Sequence, residues 1–243
     1  MRVFIFIALM LLSTLQVCQA ATEKILIQSG TRWETTGCIV DSGREGPVAM
    51  ILGGVHGNEP AGAVAAARVC SFSPLRGKIV VVPRINPLGL AKNARYLPEI
   101  GDMNRVYPPG GENTPAEKLG SEIIGLMECY KISMLIDLHE ARTFHRMDKT
   151  SLGQTLLFAE NSVSAMLAMD AVEAVNKGIN EGVKKFTLVG HPIPESSAWY
   201  AGKAFGIAAF TVETSSEQTL EERAEQHLAM VHALLSAGGW LEP

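Results

Sequence analysis

The chain has 243 residues, 47% hydrophobic and 19% charged, with 21 Lys and Arg against 25 Asp and Glu. That length is enough to bury a core, and the composition excludes a disordered or highly charged tail protein. A net charge of −4, with no Lys/Arg run of three, removes the electrostatic footprint expected of a nucleic-acid binder.

Arg2 precedes an unbroken apolar run from Val3 to Leu12, which Ser13, Thr14, Gln16 and the small Ala20 follow. A positive start, a short apolar stretch and a small residue at its end are the pattern of a secretory leader over residues 1–20, cleaved after Ala20. The run is too short to span a bilayer, so no stable membrane insertion is expected after cleavage. The expected location is periplasmic or secreted. Cys38, Cys70 and Cys129 remain beyond the leader, an odd number that leaves at least one thiol unpaired within the chain. Cys70 and Cys129 fall in helical stretches and read as buried small hydrophobes.

Beyond the leader, Lys24–Gln28 and Trp33–Val40 read as strands around a turn at Ser29 and Gly30. Val48–Gly53 is a short apolar strand, and the alanine-rich stretch from Glu59 to Val69 reads as a helix. Lys78–Val82 is a buried strand stopped by Pro83. Residues 85–113 hold many Pro and Gly and read as a long segment with little regular structure, the kind that tends to carry function. Thr114, Pro115 and Glu117 form a capping box that opens a helix, continued by Leu119, Ile123, Leu126 and Met127. Ser133–Leu138 is the next strand and Thr155–Ala159 another. A helix over Ser162–Ile179, strands at Phe186–Val189 and Gly206–Glu213, and a last helix from Glu217 to Ala237 complete the reading. Strands alternating with helices predict one α/β domain with a mostly parallel sheet covered on both faces.

In such sheets ligands gather at the carboxyl ends of strands. Three strand ends here carry polar residues that an apolar core would reject: G-G-V-H-G-N-E at 53–59, D-L-H-E at 137–140 and V-E-T at 212–214. His56 and Glu59 are three apart, so one helical turn puts them on the same face, between glycines that permit a tight bend. With His139 the set is two His and one Glu, the donor pattern of a catalytic zinc site that keeps a position open. Such a metal lowers the pKa of a water to roughly 7. A structural zinc site would close its fourth position, often with Cys, and no Cys stands nearby.

Five linked motifs, in order, resemble the succinylglutamate desuccinylase/aspartoacylase family of the zinc carboxypeptidase superfamily. They are G-G-V-H-G-N-E-P-A-G, N-P-L-G-L, R-Y-L-P-E-I-G-D-M-N-R-V-Y-P-P-G, D-L-H-E-A and T-V-E-T-S, over roughly residues 48 to 215. The resemblance implies a three-layer αβα sandwich with a mixed, mostly parallel sheet over residues 21–243, and one Zn2+ per chain. It makes His56, Glu59 and His139 the metal ligands. Glu213 matches the carboxylate that takes a proton from the attacking water and returns it to the leaving amine. Arg95 matches the cation that stabilises the oxyanion, and Asn104 with Arg105 the pair that grips a substrate carboxylate. Asp102 matches the acid that orients a ligand histidine, His56 foremost.

Two departures shape the expected function. The residues after Glu213 read as one helix, where aspartoacylases and desuccinylases usually carry a further β-rich domain. The leader also sets the chain apart from cytosolic members. The expectation is an exported zinc hydrolase of an amide bond next to a carboxylate, acting on a cell-wall peptide as a carboxypeptidase or murein peptide amidase does. The alternatives are an N-acyl amino acid deacylase and, in another class, a zinc- or carboxylate-binding module without catalysis. Tyr200 is a candidate for the mobile tyrosine of the carboxypeptidases, and Arg142 and His145 for the pocket wall.

Overall fold

The computed structural model describes residues 21–111 and 113–242. The leader expected over 1–20 lies outside them. The strands are β1 (Ala21–Ile27), β2 (Thr35–Asp41), β3 (Val48–Gly53), β4 (Lys78–Val82), β5 (Met134–Ala141), β6 (Thr155–Phe158), β7 (Thr187–Val189) and β8 (Ala208–Ser215). The helices are α1 (Pro60–Val69), α2 (Pro87–Lys92), α3 (Pro115–Cys129), α4 (Ser162–Lys177), α5 (Ser197–Phe205) and α6 (Leu220–Ala237).

All eight strands join one sheet in the order β1-β2-β4-β3-β5-β8-β6-β7. Its centre, β4-β3-β5-β8, is parallel. Antiparallel pairs attach β2 to β4, β1 to β2 and β6 to β8. The sheet is therefore α/β, mixed and parallel at its centre. The central strands are apolar on both faces because helices cover both. On one face Ile51, Ile136 and Phe210 pack with residues of α1, α4 and α6. On the other, Met50, Leu52, Leu135 and Ala209 pack with residues of α3 and α5. Successive residues of β5 and β8 thus face different layers, as the period of a strand requires.

The capping box at Thr114 and Glu117 is present. A second, at Thr219 and Glu222, starts α6 at Leu220 instead of the expected Glu217. Each such cap is worth about 1 kcal/mol of helix stability. Two helices depart from the expected elements. The segment 85–113 contains α2, opened by Asn86, whose side chain accepts a hydrogen bond from Gly89 N, with Pro87 behind it. At six residues it is too short to show a helical period. The nine-residue α5 lies where no helix was expected, capped by Ser196 at its start and Gly206 at its end.

The expected state of the cysteines is corrected. Cys70 is bonded to Cys38 in a disulfide that ties the C-terminal end of α1 to β2, with Cα atoms 6.1 Å apart. Cys129 is an exposed free thiol. It lies two residues past the buried Met127, which turns it about 200° around α3 and away from the core. Among the described residues no helix is long and apolar enough to cross a membrane.

Candidate active site and metal centre

The carboxyl ends of β3, β5 and β8 are adjacent because those strands are parallel neighbours. The loop after β3 carries His56, and Glu59 immediately precedes α1. This loop is held tightly: Gly57 N donates to Arg95 O at 3.1 Å. A Cβ at Gly57 would meet the backbone of Gly89 at 1.9 Å, so no larger residue fits. Gly62 lets α1 press on β5, since a Cβ there would meet Leu138 O at 2.6 Å. His139 and Glu213 are register partners on β5 and β8. Both project to the α5 side of the sheet.

One cleft of about 530 Å³ gathers His56, Glu59, Arg95, Asn104, Arg105, His139 and Glu213. The residues expected as metal ligands, base, oxyanion cation and carboxylate grip therefore meet in a single space. Arg142 joins its wall with Ser151 and Ser216. His145 does not line this cleft; its Nδ1 lies 2.8 Å from Ser151 O. Tyr200 also stays outside it, stacked between Tyr107 and Phe205 in the α3–α5 layer.

The donor set is compact. His56 Nδ1 lies 2.8 Å from Glu59 Oε1, and His139 Nδ1 lies 2.8 Å from Glu59 Oε2. The two Nδ1 atoms are 3.2 Å apart. Each imidazole is anchored by its other nitrogen: His56 Nε2 is 3.1 Å from Asp102 Oδ1, and His139 Nε2 is 3.1 Å from Asp137 Oδ2. The orienting acids stand at the two Nε2 atoms, so both Nδ1 atoms turn inward toward Glu59. Two Nδ1 atoms and a carboxylate converging in a buried pocket are what a divalent cation takes as ligands, and the orienting acids match the arrangement around metal-bound histidines. His56, Glu59 and His139 form a metal-competent group among the described residues.

The charges perturb one another. Burial alone would raise the Glu59 pKa, but His139 and His56 hold it down at about 2. Burial opposes a charged His139, yet Asp137 and Glu59 hold its pKa well above the usual histidine value. Burial also opposes an ionised Asp102, but the bond to His56, Asn104 N and Arg95 keep its pKa below the usual carboxylate range. Glu213 goes the other way. Burial raises it, and despite His139 and Arg95 the nearby charges of Glu59 and Asp137 help push it up to about 8. Its Oε2 is buried without a protein partner.

The other cleft residues are already engaged. Arg95 Nη1 donates to Glu59 Oε1 at 3.1 Å, and its Nη2 lies 3.5 Å from Asp102 Oδ2. Asn104 Nδ2 stands 3.2 Å from His139 Nε2, and its Oδ1 accepts from Ser197 N at 3.2 Å. Arg105 Nη1 donates to Asn104 O at 2.6 Å. Sequence reasoning assigns no role to Asp137, Ser197, Glu140 and Arg223. Ser197 Oγ donates to Asp137 Oδ2 at 2.5 Å, while Glu140 pairs with Arg223. Asp137 and Glu140 stand inside the D-L-H-E run, so that motif could have flagged them. Nothing local marks their partners, which lie 60 and 83 residues further along the chain.

The layered α/β sheet carries at its strand ends a buried two-His, one-Glu group that could hold a metal ion. The succinylglutamate desuccinylase/aspartoacylase catalytic domain family matches residues 45–237, and the chain belongs to this family. It is 27% identical over 99 residues to the N-alpha-acetyl-L-2,4-diaminobutyric acid deacetylase of Halomonas elongata, covering 39% of this chain and 29% of that protein. The solved structure of Csd4 of Helicobacter pylori, a D,L-carboxypeptidase, has the same fold, with a TM-score of 0.72 at 24% identity. That match covers 78% of this chain and 50% of Csd4, so the chain spans about half the length of that protein. An aspartoacylase family protein of Mesorhizobium loti superposes with a TM-score of 0.68 at 19% identity, over 94% of this chain and 69% of the other.

Proposed function

We propose that the chain is a zinc-dependent hydrolase of an amide bond next to a carboxylate. The observation that carries this is the convergence of His56 Nδ1, His139 Nδ1 and the Glu59 carboxylate beside Glu213 in one cleft. Zinc held by these three residues would supply Lewis acidity and acidify a water at the site. The chain's own groups do the rest. Glu213 takes the proton of the attacking water on its unpartnered Oε2 and returns it to the leaving amine. Arg95, reaching over Glu59, faces the oxyanion that develops on the scissile carbonyl. Arg105 presents a fork suited to a carboxylate, with Asn104 beside it holding the His139 side of the cleft. Asp102 and Asp137 keep the two imidazoles in one tautomer and orientation.

The substrate in this reading is a peptide bearing a carboxylate, such as a cell-wall stem peptide, met outside the cytoplasm. Two features support that setting. Residues 1–20 have the pattern of a secretory leader preceding a catalytic domain over 21–243, and the Cys38–Cys70 disulfide belongs in an oxidising compartment. Csd4, a D,L-carboxypeptidase of the same fold, supports a peptide substrate. A second reading, N-acyl amino acid deacylation, is favoured by the deacetylase relative and by the family's own description.

The test offers the zinc-loaded protein a mixture of N-acyl amino acids and muropeptides, followed by mass spectrometry, with Glu213→Gln as the blank. Loss of muropeptides assigns a peptidase or amidase, and loss of acyl amino acids alone assigns a deacylase. Equal rates for the native protein and Glu213→Gln would overturn the mechanism. Zinc uptake with no turnover of either class would leave a binding module.

A further inference from the structure

Glu59 occupies the N-cap position of α1, yet its side chain makes no cap hydrogen bond. A carboxylate at an N-cap ordinarily accepts from the free N–H groups of the first turn. Pro60 has no N–H, so the first donor to satisfy is Ala61 N. That donor is taken by another residue: Ala61 N donates to Glu140 Oε1 at 2.6 Å. In return the Glu140 backbone N donates to Glu59 Oε2 at 3.1 Å. The two glutamates have in effect exchanged places. Glu140 caps the helix that Glu59 begins, and Glu59 is left free to face His56 and His139.

Glu140 is itself held. Its Oε2 forms an ion pair with Arg223 of α6, and the two side chains are 2% and 13% exposed. A buried carboxylate without such a partner would be costly, and breaking the pair would strand it. Its charge also lies at the positive end of α1, where an anion is favoured. Glu140 projects to the α1–α6 side of the sheet and His139, one residue earlier, to the other, though both line the cleft.

We propose that the Glu140–Arg223 pair is a positioning device for the metal ligand Glu59. It caps α1 in place of Glu59 and so keeps the Glu59 carboxylate turned toward the two histidines. Without Glu140 the Ala61 N–H is orphaned, and its ordinary acceptor is the N-cap side chain, Glu59 itself, whose swing onto its own helix would break up the ligand set. This rests on the metal-site reading above.

The test measures zinc affinity by chelator competition, independently of turnover, together with the thermal midpoint of the metal-free protein. Glu140→Ala is compared with Leu234→Ala, a fully buried position on α6 that does not line the cleft. Glu140→Ala is expected to raise the zinc Kd by about tenfold or more, the scale seen when a metal ligand's outer partner is lost. Leu234→Ala is expected to lower the thermal midpoint while leaving the zinc Kd close to native. A folded Glu140→Ala protein with native zinc affinity would overturn the proposal, as would equal weakening by the two variants. Should Glu140→Ala fail to fold, Arg223→Met replaces it: a raised zinc Kd supports the proposal, and a native Kd or weakening equal to that of Leu234→Ala overturns it. Native protein that takes up no zinc would overturn the metal reading itself, an outcome distinct from native-like affinity in the variant.

Discussion

The two faces of β5 and β8 meet the same problem, buried polar groups at strand ends, and resolve it differently. On the α5 side stand Asp137, His139 and Glu213. Their charges crowd one another, and Asp137 Oδ1 and Glu213 Oε2 lack protein partners. On the α6 side stand Glu140 and Thr214. Glu140 has both oxygens engaged, by Ala61 N and Arg223, and Thr214 Oγ1 is 3.1 Å from His227 Nε2, whose Nδ1 is the one buried side-chain atom of this group without a partner. The closed side braces helices against the sheet. The open side keeps acceptor capacity unspent, which suits the cation, water and substrate proposed for it.

Substitutions on the open side should change chemistry and metal binding with little effect on folding, and those on the closed side should act chiefly on folding, except at Glu140 and Arg223, which cap the helix that begins at Glu59. The largest effects are expected at the ligands and the base. His139→Ala should lose bound zinc, read by native mass spectrometry, and zinc content equal to native would refute the ligand assignment. Glu213→Gln should keep its zinc and lose about 10²- to 10⁴-fold in kcat, the range supplied by a positioned acid–base group. Next come Asp102→Asn and Asp137→Asn, each expected to weaken zinc by about 10- to 100-fold through a loosened imidazole. Native affinity in both would erase the distinction between the two faces.

Away from the Glu140–Arg223 pair, the effects expected on the closed side are smaller and fall on stability. Replacing Cys38 and Cys70 by Ser removes the tie between β2 and α1 and should cost about 2–4 kcal/mol in urea unfolding. His227 contributes a pH dependence. Burial, with His139 and Arg223 adding to it, lowers its pKa to about 3. The folded protein therefore keeps it neutral, whereas the unfolded chain protonates it near the ordinary value of about 6.5. Stability from this residue is full above that value and declines as pH falls toward 3, by at most about 1.4 kcal/mol per pH unit. His227→Gln should flatten that decline, and a slope unchanged between pH 6 and 4 would show that other groups set it.

Much of the site was legible because its signals are local. His56 and Glu59 share a turn, His139 ends an apolar run, and Glu213 ends another. Arg95, Asn104 and Arg105 came from the family resemblance, and the fold brings them to the same cleft. The two helices that escaped notice were short: α2 has one and a half turns inside a Pro- and Gly-rich stretch, and α5 is built from small residues and aromatics. Tyr200, a candidate for the mobile tyrosine through the resemblance, packs on α5 against Tyr107 and Phe205 and does not line the cleft.

The sequence by itself determined the alternation of strands and helices, the capped start of α3 and the polar residues at three strand ends. Each of these is written in a few consecutive residues, through period, capping and turn chemistry. Only the tertiary structure decided the pairings that close the site: Cys38 with Cys70, Asp137 with Ser197, and Glu140 with both Ala61 and Arg223. Those partners are 32 to 83 residues apart. The packing of helices against a sheet sets such contacts, and no local pattern records them.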